Sequence, residues 1–232
     1  DGQVGGWYPV PCKGTGHSYC ENVFAAELRR VGRWKRFVRS DREPAIRAKV
    51  NAACVSVLRV QGIEAVPEPV RLGDSDANGL AENAVKEVKA KARSVKYALE
   101  TLLGESVAPD HACVPFMVMH GVSCLNRGRR DTSGKTPYEL RYGRRWNGKM
   151  AEFGERVMWL PEGKRASRLD SGYRAGIFLG LVEGAAAYYV GVNEKIVKAR
   201  AIKLLTGEER VDREMFHAFK GTPWCLDPAK QT

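Results

Sequence analysis

The sequence predicts an α/β arrangement of helices and short strands, followed by a small all-β region. Three observations carry this expectation. Apolar residues recur at helical spacing in four segments before about residue 147, with short extended runs between the first of them. From about Phe153 onward the pattern changes to short β-rich runs separated by Gly, Pro and Asn. Hydrophobic residues make up 44% of 232 positions, enough apolar material for a core.

Taken in order, Gly6–Val10 (GWYPV) reads as a short edge strand, because Pro9 cannot donate to a ladder. His17–Val31 follows as a helix whose apolar side is Val23, Phe24, Ala26 and Leu28. Arg36–Ser40 alternates as a strand ending at Asp41. Glu43–Gln61 is a helix, with Pro44 tolerated in its first turn and Gly62 as its stop. Ile63–Val66 is a brief strand, and Pro67–Ala77 is a loop rich in Pro, Gly, Asp and Ser. A long helix runs from about Asn78 to Leu103, closed by Gly104, and an apolar helix from about His111 to Asn126. The β-rich runs are Val157–Leu160, Gly176–Leu181, Ala187–Val192 and Ile196–Ile202, spaced as in a small barrel or curled sheet. The change of pattern places a domain boundary near Gly148: residues 1–147, then 148–210, then a tail over 211–232.

No apolar run approaches the roughly 20 residues of a membrane-spanning helix. The chain has no initiator Met and no secretory leader pattern, so it reads as a piece of something longer. None of the six Cys forms a C-x-x-C pair, which argues against zinc. Cys54, Cys113 and Cys124 lie in apolar segments, which suits small packed hydrophobes in a reducing compartment, nucleus or cytoplasm, rather than secretion. Asp74 and Asp76 fit turn and helix-entry roles, and the four His are isolated. Trp34, Trp146 and Trp159 stand beside basic residues, where they suit core packing or stacking on bases.

The net charge of +11 points to a polyanionic partner. Between Arg127 and Lys149 eight basic residues face only Asp131 and Glu139. Arg29, Arg30, Arg33, Lys35, Arg36 and Arg39 form a second basic cluster. On the long helix, with Glu82 at 0°, Lys86, Lys89, Arg93 and Lys96 fall at about 40°, −20°, 20° and −40°. Ala84, Val88, Ala92, Val95, Leu99 and Leu102 fall on the opposite side, and Glu100 dilutes the basic stripe near its end. Bases one helical turn apart, about 5.4 Å, suit the phosphates of a nucleic-acid backbone. An i,i+4 solvent face would explain the Glu82–Lys86 pair but not the further bases. In this reading Glu82 sits in the first helical turn, where the helix dipole favours an anion. Asp41 ends a strand, and one or two carboxylates with phosphate oxygens commonly hold Mg²⁺.

Five stretches occur in one order: "RSDREPAI" (Arg39–Ile46), "DANGLAENAVKEVKAKAR" (Asp76–Arg93), "CLNRGRRDTSGKTPYELRYGRRW" (Cys124–Trp146), "FGERVMWLP" (Phe153–Pro161) and "SGYRAGIFLGL" (Ser171–Leu181). Together they resemble the integrase region of copia-type retrotransposon polyproteins. The resemblance implies a partial ribonuclease-H-like integrase core with long C-terminal helices, then a small SH3-like β domain. It implies a D,D,E set of metal-binding carboxylates, in which Asp41 matches the second acid and Glu82 the third. Lys86, Lys89, Arg93 and Lys96 then match DNA-contacting positions, Mg²⁺ or Mn²⁺ is the cofactor, and the protein works as a homo-oligomer on element ends and target duplex. Two features depart from that pattern: the 40 residues between Asp41 and Glu82 are more than usual, and Arg42 follows the second acid. No strand bearing the first acid precedes Gly6, so the expectation is a core truncated at its N-terminus and inactive in 3′-end processing and strand transfer unless Asp1 substitutes. The rival expectations are a non-catalytic nucleic-acid-binding remnant and a structural domain of a Pol polyprotein.

Overall fold

A computed structural model describes residues 8–11, 17–31, 35–40, 43–69, 75–162 and 172–230. It is a mixed α/β structure in which helices precede a five-stranded antiparallel sheet. Two units emerge, Tyr8–Lys86 and Glu87–Thr232, and the division falls inside one long helix.

In the first unit, helix α1 (Ser18–Val31) and helix α2 (Pro44–Gln61) pack with strands β1 (Lys35–Ser40) and β2 (Glu64–Pro69). Ala25, Leu28 and Val57 form the local core, with Phe24, Val38, Ile63 and Ala65 against it. The two strands pair in parallel, Lys35 opposite Glu64 and Arg39 opposite Glu68. Gly62 ends α2 as expected: its φ of 64° is left-handed, and its N–H donates to the Leu58 carbonyl. The strand expected at Gly6–Val10 is not found at Tyr8–Val10, and the rest of it lies outside the described residues. Tyr8 instead donates to Glu27 Oε1 of α1 at 2.5 Å and accepts from Arg30 at 2.9 Å. Burial, then the Glu27 carboxylate, pushes the Tyr8 phenol well above its ordinary range.

Helix α3 (Ser75–Leu103) begins three residues earlier than its apolar periodicity suggests. Glu82 therefore sits about two turns into the helix, beyond the first-turn reach of the dipole. This corrects the first-turn placement read from sequence.

The second unit continues with α4 (Cys113–Gly128), α5 (Pro137–Tyr142) and a sheet of β3 (Arg156–Trp159), β4 (Arg174–Leu181), β5 (Tyr188–Val192), β6 (Lys195–Ala199) and β7 (Ile202–Leu204). The sheet order is β6-β5-β4-β3-β7, every pair antiparallel. The run expected as one strand, Ile196–Ile202, is two strands at opposite edges. β4 is buried almost throughout because both its faces are covered. Ile177 and Leu179 join Leu99, Leu103 and Phe116 in one cluster, while Phe178 joins Val157, Trp159 and Val190 in another. The first cluster takes residues from both sides of Gly148. Gly154, at φ 86°, donates to the Phe178 carbonyl, and a Cβ there would collide with Leu99 Cδ1.

Within residues 211–230 the chain forms a further short helix. Asp212 caps helix α6 (Arg213–Ala218) by accepting from Met215 N at 2.9 Å. Arg213 Nε donates to the Leu103 carbonyl at the end of α3, and Phe216 and Phe219 are buried in the first cluster.

Cys54 and Cys113 pack as buried hydrophobes, 4% and 0% exposed. His120 of α4 is enclosed too, 6% exposed, with ring contacts to Phe153 and Phe178 and its Nε2 3.4 Å from Cys124 Sγ. Burial first, then the nearby Lys91 and Arg127 charges, lowers its pKa from 6.5 to about 4. Between those two values the unfolded chain binds the proton that the folded chain refuses, so stability falls as pH drops from 6.5 toward 4. The expected loss is roughly 3 kcal/mol over that window. Urea midpoints measured from pH 7 down to pH 4 check it, and a His120→Gln variant with an equally steep decline would refute the assignment.

Candidate nucleic-acid interface

The basic clusters read from sequence separate into paired and unpaired charge. In the first unit, cross-strand register sets Lys35 Nζ 3.2 Å from Glu64 and Arg39 Nε 2.8 Å from Glu68. Arg30 pairs with Glu27 on α1. Three of the six bases of the Arg29–Arg39 cluster, Arg30, Lys35 and Arg39, are thus matched by local acids. Arg33 and Trp34 lie outside the described residues.

The expected carboxylates fare differently from one another. Asp41 lies outside the described residues, as do Arg42 and Asp74. Glu82 is exposed on α3 and has no ion pair among the described residues. Among those residues no three His, Cys, Asp or Glu side chains gather as a metal site.

Of the apolar side expected along α3, Val88, Val95 and Leu99 are buried, Ala84, Ala92 and Leu102 are half-buried, and Leu103, outside that stripe, is buried as well. Lys86, in the first unit, is exposed. In the second unit Lys89 and Arg93 are exposed and pair with no acid among the described residues. Lys96 differs, because it is held by Glu100 in an i,i+4 pair. Glu100 also accepts from Val107 N at 2.9 Å. The Lys96 hydrogen bond and then that backbone contact hold the Glu100 carboxyl below its ordinary range. Lys96 therefore brings an offset charge to any phosphate.

The Arg127–Lys149 stretch shows the same mixture. Arg129 pairs with Glu87, Arg145 Nε lies 3.0 Å from Glu139, and Arg130 donates to the Gly134 carbonyl at 2.7 Å. Thr136 and Glu139 form a reciprocal cap that starts α5 inside this basic stretch. The charged groups of Lys135, Arg144 and Lys149 are exposed and make no ion pair among the described residues, although the Lys135 backbone N–H donates to Asp131 at 3.2 Å. Of the tryptophans flagged in the sequence, Trp159 is core, 8% exposed, with Nε1 donating to the Ala175 carbonyl at 3.2 Å. Trp146 is half-buried beside Arg127. Sequence reasoning missed the grouping of Tyr138 and Trp146 around Arg127, with Tyr142 beside Tyr138; the one available signal was the i,i+4 spacing of the two tyrosines.

Among the described residues no helix is long and apolar enough to cross a membrane. No family model matches the chain, and no curated protein matches it. Among solved structures it is similar to a chain of the simian T-cell lymphotropic virus intasome in complex with the PP2A regulatory subunit B56 gamma, determined by cryo-EM. The identity is 14% over 82% of this chain, with a TM-score of 0.38. The match spans 65% of that chain's length.

Proposed function

We propose that this chain is a nucleic-acid-binding part of an integrase-type polynucleotidyl transferase. The observation that supports this best is the unpaired positive charge of the second unit, where Lys89, Arg93, Lys135, Arg144 and Lys149 are exposed and make no ion pair among the described residues. Unpaired bases are the groups that displace counterions from a phosphate backbone. The ordered motifs of the sequence supply the finer part of the proposal. In it, Asp41 and Glu82 would hold Mg²⁺ or Mn²⁺ during 3′-end processing and strand transfer, Lys86 would add a backbone contact, and the chain would act as a homo-oligomer on duplex DNA.

Two measurements on the purified chain and its Glu82→Gln variant test both levels. Duplex affinity should fall steeply with salt and be the same for the two proteins. Any Mg²⁺-dependent nicking of the unaltered chain should vanish in Glu82→Gln. Affinity indifferent to salt would remove the nucleic-acid reading, and nicking that survives the substitution would remove Glu82 from catalysis.

A further inference from the structure

Within the second unit, the segment following α5 and the turn between β4 and β5 line a groove of about 330 Å³. Six of its lining side chains are Arg127, Tyr138, Tyr142, Arg144, Trp146 and Arg200, and the turn contributes the small residues Gly184–Ala187. The rings are organised. Tyr138 and Tyr142 lie one helical turn apart on α5, their centroids separated by 4.6 Å. Arg127 Cζ stands 5.2 Å from the Tyr138 centroid and 5.7 Å from that of Trp146. Its side chain is only 9% exposed, is fixed by a 3.2 Å bond to the Ser123 carbonyl, and has Glu183 at 3.6 Å. The indole of Trp146 is seated on backbone, since a Cβ at Gly148 would approach its Cζ2 to 2.8 Å. Charge lies beside these rings: Arg200 is answered by Glu162 at 3.1 Å, whereas Arg144 is exposed with no acidic partner among the described residues.

Phosphate binding alone needs only the arginines. Arg127 and Gly148 hold the Trp146 and Tyr138 rings, Tyr142 lies against Tyr138 with Arg141 Cζ 5.7 Å from its centroid, and such fixed ring faces are what a planar, apolar-faced partner needs. In a duplex the base faces are stacked on one another and beyond reach of such a groove; in a single strand they are exposed. The volume lies at the small end of ligand sites and suits one base with its sugar.

Resting on the nucleic-acid reading above, we propose that this groove holds one unpaired nucleotide of a single strand, its base against Tyr142 and Trp146 and its phosphate at Arg144. Stacking of this kind tolerates any base, so the groove selects for strandedness and not for sequence.

The test uses the full chain and three short probes: a single strand carrying 2-aminopurine, the same strand with that base removed, and a duplex. Binding should quench the 2-aminopurine fluorescence, and the strand with the base should bind roughly tenfold tighter than the abasic one. Tyr142→Ala should weaken single-strand binding roughly tenfold while duplex affinity stays within about twofold. Gly148→Ala, which pushes the indole off its seat without deleting a ring, should do the same. Circular dichroism confirms that each variant is folded. Equal affinity for the base-containing and abasic strands, or single-strand binding untouched by Tyr142→Ala, overturns the groove proposal while duplex binding persists. Loss of binding to every probe at about 0.1 M salt overturns the nucleic-acid reading and the groove with it.

Discussion

Truncating Phe216 to alanine is expected to cost about 3–5 kcal/mol of stability, the range for removing a fully buried aromatic side chain. Phe216 is 0% exposed, its ring stacks on His111 at 4.9 Å between centroids, and it meets Phe219 edge-on at 5.8 Å. The short helix that carries it has few contacts of its own to keep it in place. Asp212 and Arg213 tie the start of α6, and the two phenylalanines supply its apolar anchor. A hole at Phe216 would sit between the end of α3 and the sheet, where Leu99, Leu103 and Ile177 cannot all collapse inward at once. Denaturant midpoints for the variant and for Met215→Ala, which removes a half-buried neighbour, provide the measurement. A loss below about 1 kcal/mol for Phe216→Ala would mean that α6 does not dock on this core.

That dependence on a distant segment explains which parts of the fold were legible in the sequence. Signals confined to one element were readable. Gly62 stops α2, Gly104 stops α3, and the apolar period along α3 singles out Val88, Val95 and Leu99 as its inner face. Features that need partners far along the chain were hidden. Lys35 and Arg39 looked like free charge until the parallel register set them against Glu64 and Glu68, 29 residues away in each case. The split of Ile196–Ile202 follows from the sheet's closing order, since β7 pairs with β3 and not with β5. Phe216 and Phe219 read as part of a tail because nothing near them in sequence shows what they pack against. For the candidate site, the stripe on α3 was legible as a period, and Glu100 already marked where it weakens. Which bases are spent internally was not, because that depends on where side chains such as Glu87 and Glu183 arrive.

The distinction between spent and unspent charge gives the second large effect. Removing Lys89 and Arg93 together should reduce duplex affinity ten- to a hundredfold at about 0.1 M salt and flatten the logarithmic salt dependence by roughly 1.8, or 0.9 per phosphate contact. The reason is local: both side chains are exposed on α3 and have no acid to release before they meet a phosphate. Lys96→Ala makes the contrast. Its ammonium is already held by Glu100, which in turn binds Val107 N, so a phosphate would have to compete with a carboxylate for the same charge. The expected change in slope for Lys96→Ala is therefore less than about half a unit. Arg39→Ala should leave the slope unchanged for the same reason, with Glu68 across the strand pair. Fluorescence anisotropy against a labelled duplex at several salt concentrations measures all four proteins on one scale. If the Lys89/Arg93 variant and Lys96→Ala flattened the slope equally, pairing within the fold would not decide which bases reach the backbone, and the face assigned to α3 would be wrong.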